Sequence, residues 1–160
     1  MSTSSRPHIS DQRIQSITRT LTLGTAAALL LQFLVGMTVN LFVELPKVHP
    51  GSQAKEYFSG LVESIVWAIV KGKAYLQLHI LLGLILVLGS SSILVLSIAT
   101  KQRKWIVAGT IGWVGTIGAG FNGGSYLNYG HELSSFLMAV GFLMAIISYA
   151  IVFHVSSRSI

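Results

Sequence analysis

Apolar residues run in long blocks along this chain, separated by short polar segments. Four blocks are long enough to cross a bilayer, which takes roughly 20 residues at a rise of about 1.5 Å each. They are residues 21–45, 74–100, 105–127 and 133–155. A fifth block, residues 57–70 (YFSGLVESIVWAIV), is too short to span. It carries Glu63 and is followed by Lys71 and Lys73. That pattern predicts an amphipathic helix at the membrane interface. The predicted fold is all-α: a transmembrane four-helix bundle with an extra amphipathic helix in the outer loop between spans 1 and 2. The whole chain reads as a single membrane domain, with residues 1–19 as a polar, disorder-prone tail. Pro46, His49, Pro50 and Gly51 mark a structured turn ahead of the short helix.

Charge fixes the direction of the spans. With four spans, Arg6, Arg13, Arg19, Lys101, Arg103, Lys104 and Arg158 fall on one side. Lys47, Lys55, Lys71 and Lys73 fall on the other, together with Glu44, Glu56, Glu63 and Glu132. The positive-inside rule then places both termini in the cytoplasm. A fifth span would separate the KQRK turn from the N-terminal arginines, so four is the consistent count. The expected location is the cytoplasmic membrane.

Composition narrows the function. The chain is 52% hydrophobic and 10% charged, against about 25% charged residues in soluble domains. It cannot cover a water-facing surface, which excludes a soluble enzyme, a disordered chain and a nucleic-acid-binding domain. The net charge of +6 is loop charge of an oriented membrane protein. Cysteine is absent, so thiol chemistry and Cys-ligated metals are excluded.

Polar residues inside spans are costly and face the bundle interior. In the first span Thr25, Ala28, Gln32, Gly36, Asn40 and Glu44 share one helix face. They either bond and pack against a neighbouring helix or line a ligand pocket. The third span carries Gly109, Gly112, Gly115, Gly118 and Gly120. A glycine face permits close helix packing and equally makes room for a flat cofactor, packing being the commoner use.

The histidines carry the sharpest chemistry. His8 lies in the tail and His154 at the cytoplasmic end of the fourth span. His79 lies in the second span and His131 at the start of the fourth, at similar depth near the outer face. Their helices run in the same direction, as diagonal helices of a four-helix bundle do. Two neutral imidazoles facing one another across such a gap make the bis-histidine site of heme b. Gly83 and Met138 supply space and an apolar wall, and Gln32 and Asn40 are candidates to hold the ring N–H groups. The plainer alternative is a pair of interfacial histidines. A zinc or copper site of His49, His79 and His131 with Glu44 or Glu132 is the competing metal reading.

The layout resembles one four-helix bundle of the heme A synthase family. The matching stretches are LQLHILLGLILVLG around His79, NYGHELSSFLMAVG around His131, and LQFLVGMTVNLFVELP in the first span. The resemblance implies heme-ligating histidines near the outer ends of the second and fourth spans, at His79 and His131. Catalytic bundles of that family carry a glutamate shortly before the second-span histidine, where Leu76 stands here. The outer-loop cysteine pair of many bacterial members is also absent. The resemblance therefore points to the bundle that holds heme b.

Three functions follow as expectations. The first is a b-type cytochrome-like protein that transfers electrons. The second is a cofactor-free structural or assembly subunit of a membrane complex. The third is a heme-modifying enzyme acting through Glu44, Glu56 or Glu132. The candidate partners are the lipid bilayer, a membrane quinol or respiratory-chain protein, and a second copy of the chain. Tyr57, Phe58 and Trp67 of the short helix either anchor it at the interface or form the quinol's approach.

Overall fold

A computed structural model describes residues 9–157. The described residues form five helices and no strand: α1 (Ile9–Phe42), α2 (Tyr57–Lys71), α3 (Ala74–Ala99), α4 (Arg103–Tyr129) and α5 (Glu132–Ser157). Three segments, Gln12–Phe42, Ala74–Ala99 and Glu132–Val155, are long and apolar enough to cross a membrane. The chain is a membrane protein on that ground. Their outward faces are apolar, with Leu34 and Leu41 of α1, Ile85 and Leu88 of α3, and Phe136 and Leu143 of α5 exposed. Such faces are compatible with a lipid environment.

The fourth predicted span differs from the other three. At 27 residues α4 has the length, yet it is not among the apolar candidates. Its glycines, together with Asn122, Ser125 and Asn128, take the place of aliphatic side chains.

Helix α1 begins at Ile9, inside the stretch predicted as a polar tail. Residues 1–8 and 158–160, with Arg6, His8 and Arg158, lie outside the described residues. The first helical turns are mostly polar, with only Ile9, Ile14 and Ile17 among them, too few to extend the apolar block. At the other end α1 stops at Phe42, ahead of the predicted Leu45. Pro46 disfavours helical backbone at the residue before it.

Helices α1 and α4 each pack on both α3 and α5. The four long helices therefore form a ring in the order α1, α3, α4, α5. The pairs α1/α4 and α3/α5 are the diagonals. Side chains from three helices meet along the axis, where Leu29, Leu86, Ile93, Ala145 and Tyr149 are buried together. The tightest contact joins α4 to α5. A Cβ on Gly115 would lie 2.6 Å from the Gly141 carbonyl oxygen, and the reverse holds for Gly141. Gly112 lies against the Tyr149 ring, and Gly109 against Ser97 of α3. These glycines of α4 serve helix packing.

Short connections set the neighbours. Between α4 and α5 only Gly130 and His131 stand outside the helices. Gly130 adopts φ 64° and donates its N–H to the Tyr126 carbonyl at 2.8 Å, a left-handed helix end that glycine adopts without strain. Helix α2 rests on α3 and α4 at one end of the ring, called here the α2 end. It buries Gly60, Leu61, Ser64 and Ala68. Its opposite face is not polar: Phe58, Val62, Val66 and Val70 are exposed. Ring contacts tie it down, Tyr57 to Tyr129 and Phe58 to Phe121.

Candidate functional site

The polar stripe of α1 faces α3. Thr25 fits against Gly89, Gln32 against Gly83, and the His79 ring against Gly36. A Cβ on Gly36 would come within 2.8 Å of His79 Cε1. Glycine at 36 therefore lets the imidazole enter the α1–α3 contact. Gln32 Nε2 lies 3.3 Å from His79 Nε2. In that arrangement the amide donates to the ring nitrogen, and the ring's own proton sits on Nδ1. His79 Nδ1 and Gln32 Oε1 are both buried without a partner. Two unmet polar atoms deep in a helix contact are costly. Thr22 Oγ1, Ser97 Oγ, Trp105 Nε1 and Asn128 Nδ2 are likewise buried without a partner elsewhere in the bundle.

His131 sits at the same end on the opposite corner of the diagonal. Its ring is exposed and stacks on Tyr129 at 6.0 Å. Its carbonyl accepts the Ser134 N–H at the start of α5. Among the described residues no hydrogen bond or ring contact joins His131 to His79. Met138 places its sulfur beside Gly123 of α4. Asn40 leaves the α1–α3 contact and accepts a hydrogen bond from Tyr126 Oη at 3.3 Å. Of the predicted site residues, Gln32, Gly83 and His79 come together, while Asn40, Met138 and His131 occupy other contacts.

His49 is not free to join them. It is buried in the loop before α2 and stacks on Trp67 at 4.7 Å. Its Nδ1 faces the Pro50 carbonyl oxygen at 2.9 Å and its Nε2 the Leu127 carbonyl oxygen at 3.1 Å. Leu127 is in the last turn of α4, where carbonyls lack helical partners. The side chain thus fastens the loop to the end of α4. No group of three His, Asp or Glu that could hold an ion exists among the described residues. The loop has turned His49 toward Leu127 and Trp67. Glu44, Glu56 and Glu132 are exposed and ungathered.

Ser64 of α2 completes the fastening by donating to Asn128 Oδ1 of α4, and its hydroxyl lies 3.1 Å from the Pro50 carbonyl. Gly51 takes φ 92° in this loop, the left-handed region that glycine tolerates.

Beside this loop lies an open cleft of about 470 Å³ between the ends of α1 and α4. Val39, Val43 and Leu45 line it from the α1 side, and Tyr126 and Tyr129 from the α4 side, with Lys47 at the loop. Sequence reasoning did not find it. The signal was there in the YLNYG segment, whose tyrosines stand three apart on one helix face. Comparison of the chain with protein-family models, curated proteins and solved structures yields no match.

Proposed function

We propose that this protein is a b-type cytochrome-like membrane protein that binds heme b between α3 and α5 and transfers electrons. In this reading α4 crosses the bilayer with the other three long helices, the α2 end faces outward, and both termini are cytoplasmic. Length and the α5 contact support the fourth crossing. The distribution of Lys and Arg supports the orientation.

One observation carries the heme reading. His79 is the histidine, among the described residues, whose ring is embedded in the bundle with a buried nitrogen lacking a partner. It stands on α3, and His131 heads α5, the helix diagonal to it. The ligand set fits the group, with two imidazoles at one end of the ring; glycines 36 and 83 seat the His79 ring and the Gln32 amide beside them. His79 and His131 would hold the iron. Bound heme b supplies one-electron chemistry, and bis-imidazole ligation leaves no open iron position. With its amide turned so that Oε1 accepts the Nε2–H, Gln32 would position the His79 ring and leave Nδ1 to the iron. Tyr129 stacks on the His131 ring and orients it. The apolar wall of Leu86 and Phe142 below excludes water.

A second reading, a cofactor-free subunit, is favoured by the close fit of His79 on Gly36 and the exposure of His131. The visible spectrum of the detergent-purified protein separates the two. A sharp α-band after dithionite, a pyridine hemochrome of heme b, and loss of both in His79→Ala and His131→Ala are expected. His49→Ala should keep the band. Colourless protein from heme-sufficient cells would overturn the first reading and leave the second.

A further inference from the structure

We infer that the cleft at the α2 end binds the head group of a membrane quinone. The inference rests on the membrane reading above and holds with or without heme. The cleft is lined by the rings of Tyr126 and Tyr129, and Tyr57 and Trp67 stack on its lining residues Tyr129 and His49; interfacial aromatic residues sit at the head-group level of a bilayer. Its volume of about 470 Å³ falls in the range of small-molecule sites.

The lining selects the ligand's chemistry. Its apolar wall is Val39, Val43 and Leu45, and its flat wall is Tyr126 and Tyr129. Such walls suit a planar ring. The polar side chains include Asn40 and Lys47, and no carboxylate lines the cleft. Tyr126 donates its hydroxyl proton to Asn40 Oδ1, which leaves the Asn40 amide N–H₂ to serve an acceptor. A ring bearing carbonyl oxygens matches this set. A phosphate head group would call for several cations or a forked arginine, and the cleft offers one lysine and no arginine, with the His49 ring turned to the Pro50 and Leu127 carbonyls.

A prenyl tail has an exit. Leu41 and Phe42, next to Asn40 on α1, are 64% and 74% exposed. They continue the lipid-facing surface from the mouth of the cleft. The location is also suited to electron delivery. Tyr129 lines the cleft and stacks on His131. Asn40 stands one helical turn, about 6 Å, beyond the Gly36 that carries the His79 ring.

The test uses the full chain in nanodiscs of zwitterionic lipid, as purified, and a photoreactive benzoquinone with a short prenyl tail. Saturable labelling within residues 39–49 or 126–130, mapped by mass spectrometry, is expected. Tyr126→Phe and Asn40→Leu should each weaken binding about tenfold, the size of one lost hydrogen bond. Circular dichroism verifies that both variants fold. Labelling elsewhere, labelling that does not saturate, or unchanged binding in both variants overturns the inference. Displacement of the label by glycerol phosphate overturns it too and reassigns the cleft to phosphate heads. Saturable labelling of colourless protein would support this site while removing the heme reading. A heme band without labelling would do the reverse.

Discussion

The two ends of the helix ring are built from different polar chemistry. At the end away from α2, Trp105 is 1% exposed and packs with Ala108 and Val152. Thr18, Thr22 and Ser97 are fully buried there. These hydroxyls are short, and Thr18 satisfies its own by donating to the Ile14 carbonyl one turn back. Such bonds stay within one helix and ask nothing of a neighbour. At the α2 end the polar groups are long or cyclic and reach between elements: Gln32 to His79, Tyr126 to Asn40, His49 to Leu127. One end is closed packing. The other is a set of cross-element contacts. Buried polar atoms without a partner occur at both ends: at Thr22, Ser97 and Trp105 in the first, and at Gln32, His79 and Asn128 in the second. The polar groups of the two ends therefore differ in reach: Thr18 bonds within its own helix, while Gln32, Tyr126 and His49 bond between elements.

Substitution at each end tests that division. The largest effect belongs to the closed end. Trp105→Ala removes its largest buried side chain and should cost about 3 kcal/mol, measured by unfolding in mixed micelles. Heme content and quinone labelling of the folded fraction should stay unchanged. A change in either would show that the closed end reaches the site.

His49→Ala should cost about 2 kcal/mol, from the hydrogen bond its ring donates to a carbonyl and one ring stack. Its signature is local. Trp67 loses its ring partner, so its emission shifts to the red and proteolysis of residues 43–56 accelerates. An unchanged Trp67 environment would mean that the loop is held by Ser64 and Asn128 alone. Gly36→Ala should cost about 1 kcal/mol, because the added methyl meets the His79 ring. It should lower heme occupancy well beyond what the stability change explains. Equal, small effects on both would return Gly36 to simple packing. The smallest effect is expected at Arg19, which lies 5.1 Å from the Phe153 ring. Arg19→Gln should cost about 0.5 kcal/mol, the scale of one cation–π contact, with no effect on ligands.

Much of this architecture was legible in the residues. The short helix was expected at 57–70 and forms Tyr57–Lys71. The second span was expected at 74–100 and forms Ala74–Ala99. Their apolar runs end at lysines, glycines and turns, so boundary and pattern agree. The first helix was legible only where it is apolar, since the residues before Leu21 are mostly polar and Ile9, Ile14 and Ile17 alone do not extend the apolar block. The stripe of Gln32 and Gly36 was legible as one face, because four-residue spacing places side chains together. Its partners were not, because register between helices depends on which small residues meet. His49 shows the limit most plainly. VHPG announces a turn, but only folding brings Trp67 and the carbonyl of Leu127, 78 positions away, to the imidazole.

The ring order of the long helices has a consequence for synthesis. The contacts α1 to α3, α3 to α4 and α4 to α5 each form as the later helix leaves the ribosome. The seam between α1 and α5 joins the first helix made to the last. Until α5 arrives, the interior stands open along one whole side. A bulky guest has a lateral doorway during that interval, and release of the final helix shuts it. Loading of this bundle would then be timed by translation, and a chain cut before α5 would remain an unclosed trough.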